Sequence, residues 1–425
     1  MRFKKIRYLS LMFDFMESPR IWREKLLLNL KYKLWITRRV VITVMCKQKN
    51  SKDLDSSAPL AVFGVLTDVQ YADVDNRPAG YDPTKTRYYR QALDHVDSAF
   101  NYWQKMTQPV KFVLQCGDII DGLNRESCGS LMALQKTLDR FEQYKNIPTF
   151  HTVGNHELYN FSRLELVKHF AKTVKKMKIP PSMFNSERRP LSETDNLPLN
   201  DLTLYYKFCP VAGMKCISLD CFDISVIGYD KLHPNYVKAA QILYDHHGHH
   251  DFDGWDCDGL LQGLERRFQQ MNGALSKQQL QWLDEELLES DRLGEKVIVF
   301  GHVSLAPDSS DWSCLLWNYN DVIDIFHRHN CVIAYFSGHT HNSGYAMDSK
   351  GIHYVVLNGI VETSPSDKAF ATISLYNDRL EINGHGREES RTLWINTSCD
   401  GIGSAEDDIE SISVVPSSKQ IKVEV

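Results

Sequence analysis

The chain has 425 residues, 43% hydrophobic and 11% aromatic, enough for a full-sized core and unlike a disordered or fibrous protein. Its net charge of −5 is uneven: residues 1–58 hold 14 Lys and Arg against 5 Asp and Glu, and the remainder 35 basic against 49 acidic residues. An acidic body argues against nucleic acid as the partner.

Residues 1–58 read as a basic extension, unstructured or loosely helical. "LSLMF" is short for a signal core and Asp14 follows at once. "VVITVM" (40–45) is also short, and no apolar stretch approaches the ~20 residues of a membrane span. No stable membrane insertion is expected. The segment is basic and acid-poor like a transit peptide but scarce in serine, so an organellar address stays open beside a cytoplasmic one. The ten cysteines form no Cys-x-x-Cys pair, and Cys116 and Cys331 lie in apolar runs where a thiol acts as a small hydrophobe. That pattern fits a reducing compartment, and the sequons at Asn160 and Asn396 are taken as incidental.

The folded body is expected over 59–398. "LAVFGVLTD" (60–68) reads as a buried strand ending in an acid, followed by a polar loop with Pro78, Gly80 and Pro83. Residues 84–103 place apolar side chains at helical spacing behind a threonine cap. "VKFVLQCGD" (110–118) is a second strand, 130–145 a helix, and "TFHTVGNHE" (149–157) a third strand running into Gly and polar residues. Residues 162–178 read as helix, 180–200 as loop, and 205–220 as two strands about a Pro-Val-Ala-Gly turn. Residues 245–258 read as a polar insertion whose His246, His247, His249 and His250 lie in a solvated loop. Residues 276–290 form an amphipathic helix capped by Ser276. "KVIVFGH" (296–302), "CVIAYFSGH" (331–339) and "IHYVVLNG" (352–359) are strands, and 370–386 is a hairpin turning at Asn377-Asp378. The tail, 399–425, is acidic, Ser-rich and aperiodic. Strands alternate with helices early and cluster late, which predicts a layered α/β domain of one or two sheets flanked by helices.

Polar residues collect where these strands end: Asp68 and Gln70, Asp118, Asn155 and His156, His302, then His339 and His341. Ligands gather beyond the carboxyl ends of strands in α/β sheets. One such residue has a dull explanation, such as a turn or a hydrogen-bonded histidine. Five strand ends carrying only metal-competent groups point to a metal centre. Carboxylate, amide oxygen and imidazole suit Mn²⁺, Mg²⁺, Fe or Zn²⁺, and the absence of thiolate argues against structural zinc. Two neighbouring cations need a bridging anion, and Asp118 on its Gly-Asp turn can supply it. Such a pair arms a water against phosphorus.

Asp68-x-Gln70, Gly117-Asp118, Gly154-Asn155-His156-Glu157, Gly301-His302 and Gly338-His339-Thr340-His341 resemble, in order, the motifs of the calcineurin-like metallophosphoesterases. The resemblance covers roughly 60–395 and implies an α-β-β-α sandwich of two mixed sheets. It implies one metal on Asp68, Gln70, Asp118 and His341, and a second on Asp118, Asn155, His302 and His339. His156 would stabilise the phosphate or act as general acid, and Glu157 would orient His156. Asp121 would pin its turn, and Glu362 is a candidate partner of a ligand. Gln70 stands where the family usually has histidine; a harder, less basic oxygen favours exchangeable Mn²⁺ or Mg²⁺ over Zn²⁺ or Fe. With "FGVLTDVQYAD", "RYYRQAL", "LQCGDIIDG", "GNHELYNFSR", "MNGALSKQQLQWL", "LLWNY" and "GHTHNSGY", the chain resembles the manganese-dependent ADP-ribose/CDP-alcohol diphosphatase group. That implies hydrolysis of the pyrophosphate in ADP-ribose, CDP-choline and CDP-glycerol, hence small nucleotide substrates; a monomer is expected. Arg87 and Arg125 are candidates for the second phosphate, and Tyr81, Trp317, Asn318 and Tyr319 for the nucleobase. A phosphomonoesterase, a cyclic-nucleotide phosphodiesterase, a phosphoprotein phosphatase and a non-catalytic scaffold are the alternatives.

Overall fold

The computed structural model describes residues 58–176, 203–248 and 261–395. The basic extension up to residue 57, the 180–200 loop, His249 and His250, and the acidic tail lie outside the described residues.

Two six-stranded sheets organise the chain. In sequence the strands are β1 (Ala61–Leu66), a short ribbon of β2 (Arg77–Pro78) and β3 (Thr86–Arg87), β4 (Val113–Gln115), β5 (Thr149–His151), β6 (Tyr206–Val211), β7 (Met214–Ser218), β8 (Lys296–Phe300), β9 (Val332–Ser337), β10 (Gly344–Met347), β11 (His353–Val356), β12 (Ala369–Leu375), β13 (Arg379–Gly386) and β14 (Arg391–Trp394). One sheet has the order β14-β13-β12-β1-β4-β5 and the other β10-β11-β9-β8-β7-β6. Both are mixed. β1 runs parallel to β4 but antiparallel to β12, and β8 runs parallel to both β7 and β9 while β6 closes the edge antiparallel.

Strand alternation explains how the sheets stack. Ala61, Phe63 and Val65 of β1 join Phe112, Leu114, Phe150, Phe208, Ile298, Phe300 and Phe336 in one core. Val62 and Leu66 face the other way, into a core shared with helix residues. Helices α1 (Ala92–Trp103) and α3 (Ser130–Glu142), with the short α2 (Leu123–Glu126) before α3, supply Val96, Phe100, Trp103, Leu134 and Leu138 to that core. After α4 (Asn155–Asn160), α5 (Arg163–Lys176) and α6 (Pro234–His247), helices α7 (Lys277–Leu293) and α8 (Tyr319–Arg328) bring Trp282, Leu283, Leu287, Val322 and Phe326 against the outer face of the second sheet. The result is the four-layer α-β-β-α sandwich expected.

Trp103 shows how sequence sets the fit. Its ring lies where a Cβ on Gly64 would stand, so the glycine in β1 lets the helix approach the sheet. The indole N–H donates to Thr372 Oγ1 at 3.0 Å, and the residue is 1% exposed. Trp103→Ala is expected to cost about 3–5 kcal/mol, read as a drop in urea midpoint with the m-value unchanged.

The structure differs from the sequence reading in places. α1 starts at Ala92, because Thr86 and Arg87 pair with β2 and the Tyr88 N–H donates to Val361 O at 2.6 Å. Thr84 therefore does not cap it; its hydroxyl donates to Asp82 Oδ1 at 2.6 Å in the preceding turn. Pro210 and Val211 belong to β6, leaving the turn to Ala212 and Gly213. His246 and His247 close helix α6 instead of lying in a loop: His246 stacks on Phe268 with ring centroids 3.4 Å apart and reaches Glu265 at 2.6 Å. α7 does begin behind Ser276, whose hydroxyl accepts the Gln279 N–H.

Candidate metal centre

The carboxyl ends of strands from both sheets point to one place. Asp68 and Gln70 follow β1, Asp118 follows β4, Asn155 and His156 open α4 after β5, His302 follows β8, and His339 and His341 follow β9. Six non-glycine residues among the described ones have positive φ, and five of these are Asp68 (49°), Gln70 (42°), Asp118 (57°), His339 (73°) and His341 (58°). Left-handed backbone at such residues costs about 1–3 kcal/mol each. A fold keeps such strain where the side-chain direction matters more than backbone comfort.

The donor atoms fall into two sets that share one oxygen. Around the first, Gln70 Nε2 is 2.9 Å from both Asp118 Oδ2 and His341 Nε2, and His341 Nε2 is 3.2 Å from Asp68 Oδ1. Around the second, His302 Nε2 is 3.3 Å from the same Asp118 Oδ2, 3.0 Å from Asn155 Oδ1 and 3.1 Å from His339 Nδ1. An octahedron with bonds near 2.1 Å has edges of about 3.0 Å. Both sets have that spacing, and a half-turn of the Gln70 amide puts its oxygen in the first. Asp68 Oδ1 and Gln70 Oε1 are buried without a hydrogen-bond partner among the described residues, as acceptors waiting on a cation would be. Asp68, Asp118 and His302 alone bring their donor atoms within 4.8 Å of one another. The residues fit a pair of divalent ions.

The remaining ring nitrogens fix which nitrogen faces inward. His302 Nδ1 lies 2.8 Å from Cys116 O, His341 Nδ1 2.7 Å from Glu362 Oε1, and His339 Nε2 2.8 Å from Asn272 Oδ1. Each leaves the opposite nitrogen's lone pair to the centre. Electrostatics agree with a cation site. Burial pushes the Asp118 carboxyl up, yet the charges of His302 and His156 outweigh it and hold it well below the ordinary range. Burial likewise opposes His302 and His341, but Asp118 beside the first and Asp68 beside the second push each up to about 9. Burial and the His302 charge take His339 down to about 3. Unbalanced carboxylates are what raise these two imidazoles, and cations in the site would supply that positive charge instead.

Around this centre the structure reassigns several side chains. Glu157 accepts N–H bonds from Gly154, Asp118, Ile119 and Ile120 at 2.7–3.2 Å, so it holds the turn that carries Asp118, not the His156 ring. Gly154 lies so close to Asp118 that a Cβ there would meet the carboxylate. His156 instead takes the Gly122 N–H on Nδ1 at 2.9 Å, with Asp121 Oδ2 3.2 Å away. Its neutral ring therefore carries the proton on Nε2, 3.9 Å from Asp118 Oδ2. Asp121 also accepts the Leu123 N–H at 2.9 Å, which pins its turn.

Of the residues predicted for substrate, two stand beside the centre. Tyr81, 56% exposed, donates to Glu362 Oε2 at 2.7 Å, its ring 6.4 Å from that of His341. Arg87 lies between Glu362 at 3.4 Å and Asp121 at 3.6 Å, which engage its guanidinium on both sides. The other four are engaged in other contacts. Trp317 is a core residue, 3% exposed, its indole donating to Gln269 O. Asn318 bonds the backbone of Leu275 in both directions, and Tyr319 opens α8 packed against the core. Arg125 donates to Tyr159 O at 3.3 Å from an exposed position. Asn272 and the Cys116 carbonyl were not among the sequence candidates. Asn272 lies within "MNGALS", and nothing in its spacing marks it as a partner of His339.

Comparison with known proteins agrees with this geometry. Residues 61–343 match the model of the calcineurin-like phosphoesterase family. The manganese-dependent ADP-ribose/CDP-alcohol diphosphatase of Homo sapiens is 38% identical over 340 residues, 80% of this chain and 94% of the relative. The protein of that name from Arabidopsis thaliana is 34% identical over 333 residues, 78% and 96% of the two chains. A solved dimetal phosphatase from Danio rerio superposes with a TM-score of 0.70 at 33% identity, covering 80% of this chain and all of that one. No helix among the described residues is long and apolar enough to cross a membrane. The chain belongs to the calcineurin-like phosphoesterase family.

Proposed function

We propose that this protein is a dinuclear-metal hydrolase that cleaves the pyrophosphate bond of ADP-ribose, CDP-choline, CDP-glycerol and related nucleoside diphosphates, releasing AMP or CMP. The observation that carries the metal half of the reading is the pair of donor sets sharing Asp118 Oδ2. The activity for which the relatives are named, over most of both chains, supports the substrate half. Asp68, Gln70, Asp118 and His341 would hold one ion, and Asp118, Asn155, His302 and His339 the other. Bound there, divalent cations supply Lewis acidity toward phosphoryl oxygens and lower the pKa of water. Oxygen donors from Asp, Gln and Asn beside three imidazoles suit Mn²⁺, with Mg²⁺ next and Zn²⁺ or Fe less suited.

The chain's own residues do the rest. His156, held at Nδ1 by Gly122, presents the Nε2 proton toward the shared oxygen's side of the centre, where a leaving phosphate oxygen needs one. Glu157 keeps Asp118 aimed through the backbone of its turn. Tyr81 is a partly exposed ring beside His341, the kind of surface on which a nucleobase stacks.

Purified protein with Mn²⁺ is expected to convert ADP-ribose to AMP and ribose 5-phosphate, and CDP-choline to CMP and phosphocholine, as resolved by ion-exchange chromatography. Inorganic phosphate from monoesters as the sole product would favour a phosphomonoesterase, and no hydrolysis of any of them would leave a scaffold. Gln70→His is expected to shift the metal preference from Mn²⁺ toward Zn²⁺ in competition assays. An unchanged metal profile would show that Gln70 is not a ligand.

A further inference from the structure

Asn272 is fully buried, and each of its side-chain hydrogen-bonding atoms is committed. The amide nitrogen donates to Arg267 O at 2.8 Å and Ser313 O at 2.7 Å. Two carbonyls can only face an NH₂ group, so the amide cannot be reversed and its oxygen must face His339. That oxygen, 2.8 Å from His339 Nε2, can only accept. His339 is thereby confined to the tautomer with its proton on Nε2 and a lone pair on Nδ1, toward His302 Nε2 at 3.1 Å.

The two carbonyls belong to short single-turn segments packed on each other, Gly263–Arg267 and Trp312–Cys314. Trp312 is 41% exposed, and Arg266 pairs with Asp311 at 3.1 Å. One buried amide thus joins a candidate metal ligand on its oxygen side to a partly exposed surface on its nitrogen side.

We infer that Asn272 is a positioning residue with two tasks: it holds His339 in the ring orientation that binds the second cation, and it couples filling of that site to the order of segments 263–267 and 312–314. The inference rests on the metal reading above. A ring clamped at Nε2 has lost rotational freedom before the ion arrives, and an ion that clamps His339 in turn stiffens whatever holds the ring.

Stepwise Mn²⁺ affinities from electron paramagnetic resonance, with hydrogen exchange of the same full-length samples, test both tasks. In the wild type two ions are expected, and peptides covering 263–272 and 308–318 should gain protection on Mn²⁺ addition. Asn272→Ala is expected to weaken the second ion about 10–100-fold, leave the first unchanged, and abolish the gain in protection. Asn272→Asp keeps the acceptor but turns an oxygen toward two carbonyls. It should retain the second ion while segments 263–267 and 312–314 lose protection. Unchanged affinities in Asn272→Ala, or equal weakening of both ions, would overturn the inference, as would a second ion lost in Asn272→Asp. A wild-type chain that binds fewer than two ions removes the metal reading itself, and this role with it.

Discussion

Asp118→Asn is expected to lower hydrolysis of ADP-ribose at least about a thousand-fold, roughly 4 kcal/mol of barrier. Both donor sets use Asp118 Oδ2, at 2.9 Å from Gln70 Nε2 and 3.3 Å from His302 Nε2. An amide there removes the negative charge that offsets repulsion between two cations, and its NH₂ can turn into a site built from acceptors. Packing changes little, because Asn has the shape of Asp and its Oδ1 can still accept the backbone N–H of His156. The variant should therefore keep its thermal midpoint in EDTA within a few degrees while losing Mn²⁺ uptake, measured by equilibrium dialysis and metal analysis. Full uptake of two ions by this variant would show that the shared carboxylate does not bridge them.

His156→Gln separates proton delivery from metal binding. The ring is not in either donor set, and Gly122 and Asp121 hold it with Nε2 near the shared carboxylate. Loss of a positioned general acid costs about 10²–10⁴-fold. The expected result is a fall of that size in kcat with two Mn²⁺ still bound. The loss should shrink for a substrate whose leaving group needs no proton, such as a nitrophenyl ester. Equal losses for good and poor leaving groups would assign His156 to binding or charge stabilisation instead.

Much of the site was legible in the sequence for a physical reason. Groups that bind metal are few, and strands in a layered α/β fold end on a common edge, so short motifs after apolar runs name the residues that meet there. Asp68, Asp118, His302 and His339 needed only that rule. Context that crosses the chain was not legible. Asn272 reaches His339 across 67 residues, and the Cys116 carbonyl beside His302 belongs to a residue whose side chain reads as plain core. Backbone partners leave no mark in residue types. Tertiary packing also decides aromatics: "LLWNY" has polar residues that suggest a loop, yet Trp317 seals a small core with Leu243, Leu261 and Phe268. Glu157 is similar. Next to His156 in sequence, it turns away along α4 to collect four N–H groups of the Asp118 turn. Burial and the Asp118 charge push its carboxyl up to about 7, against the pull of the Gly154 and Ile120 N–H bonds. The left-handed backbone at five donor positions was likewise invisible, because Asp, Gln and His carry no conformational signature comparable to glycine's.

Anomalous diffraction at the manganese edge, from crystals of the Mn²⁺-loaded protein, locates the bound ions. Two peaks are expected on either side of Asp118 Oδ2, one against Asp68 and His341 and the other against His302 and His339. A single peak, or peaks remote from that oxygen, would rule out a dinuclear centre bridged by Asp118.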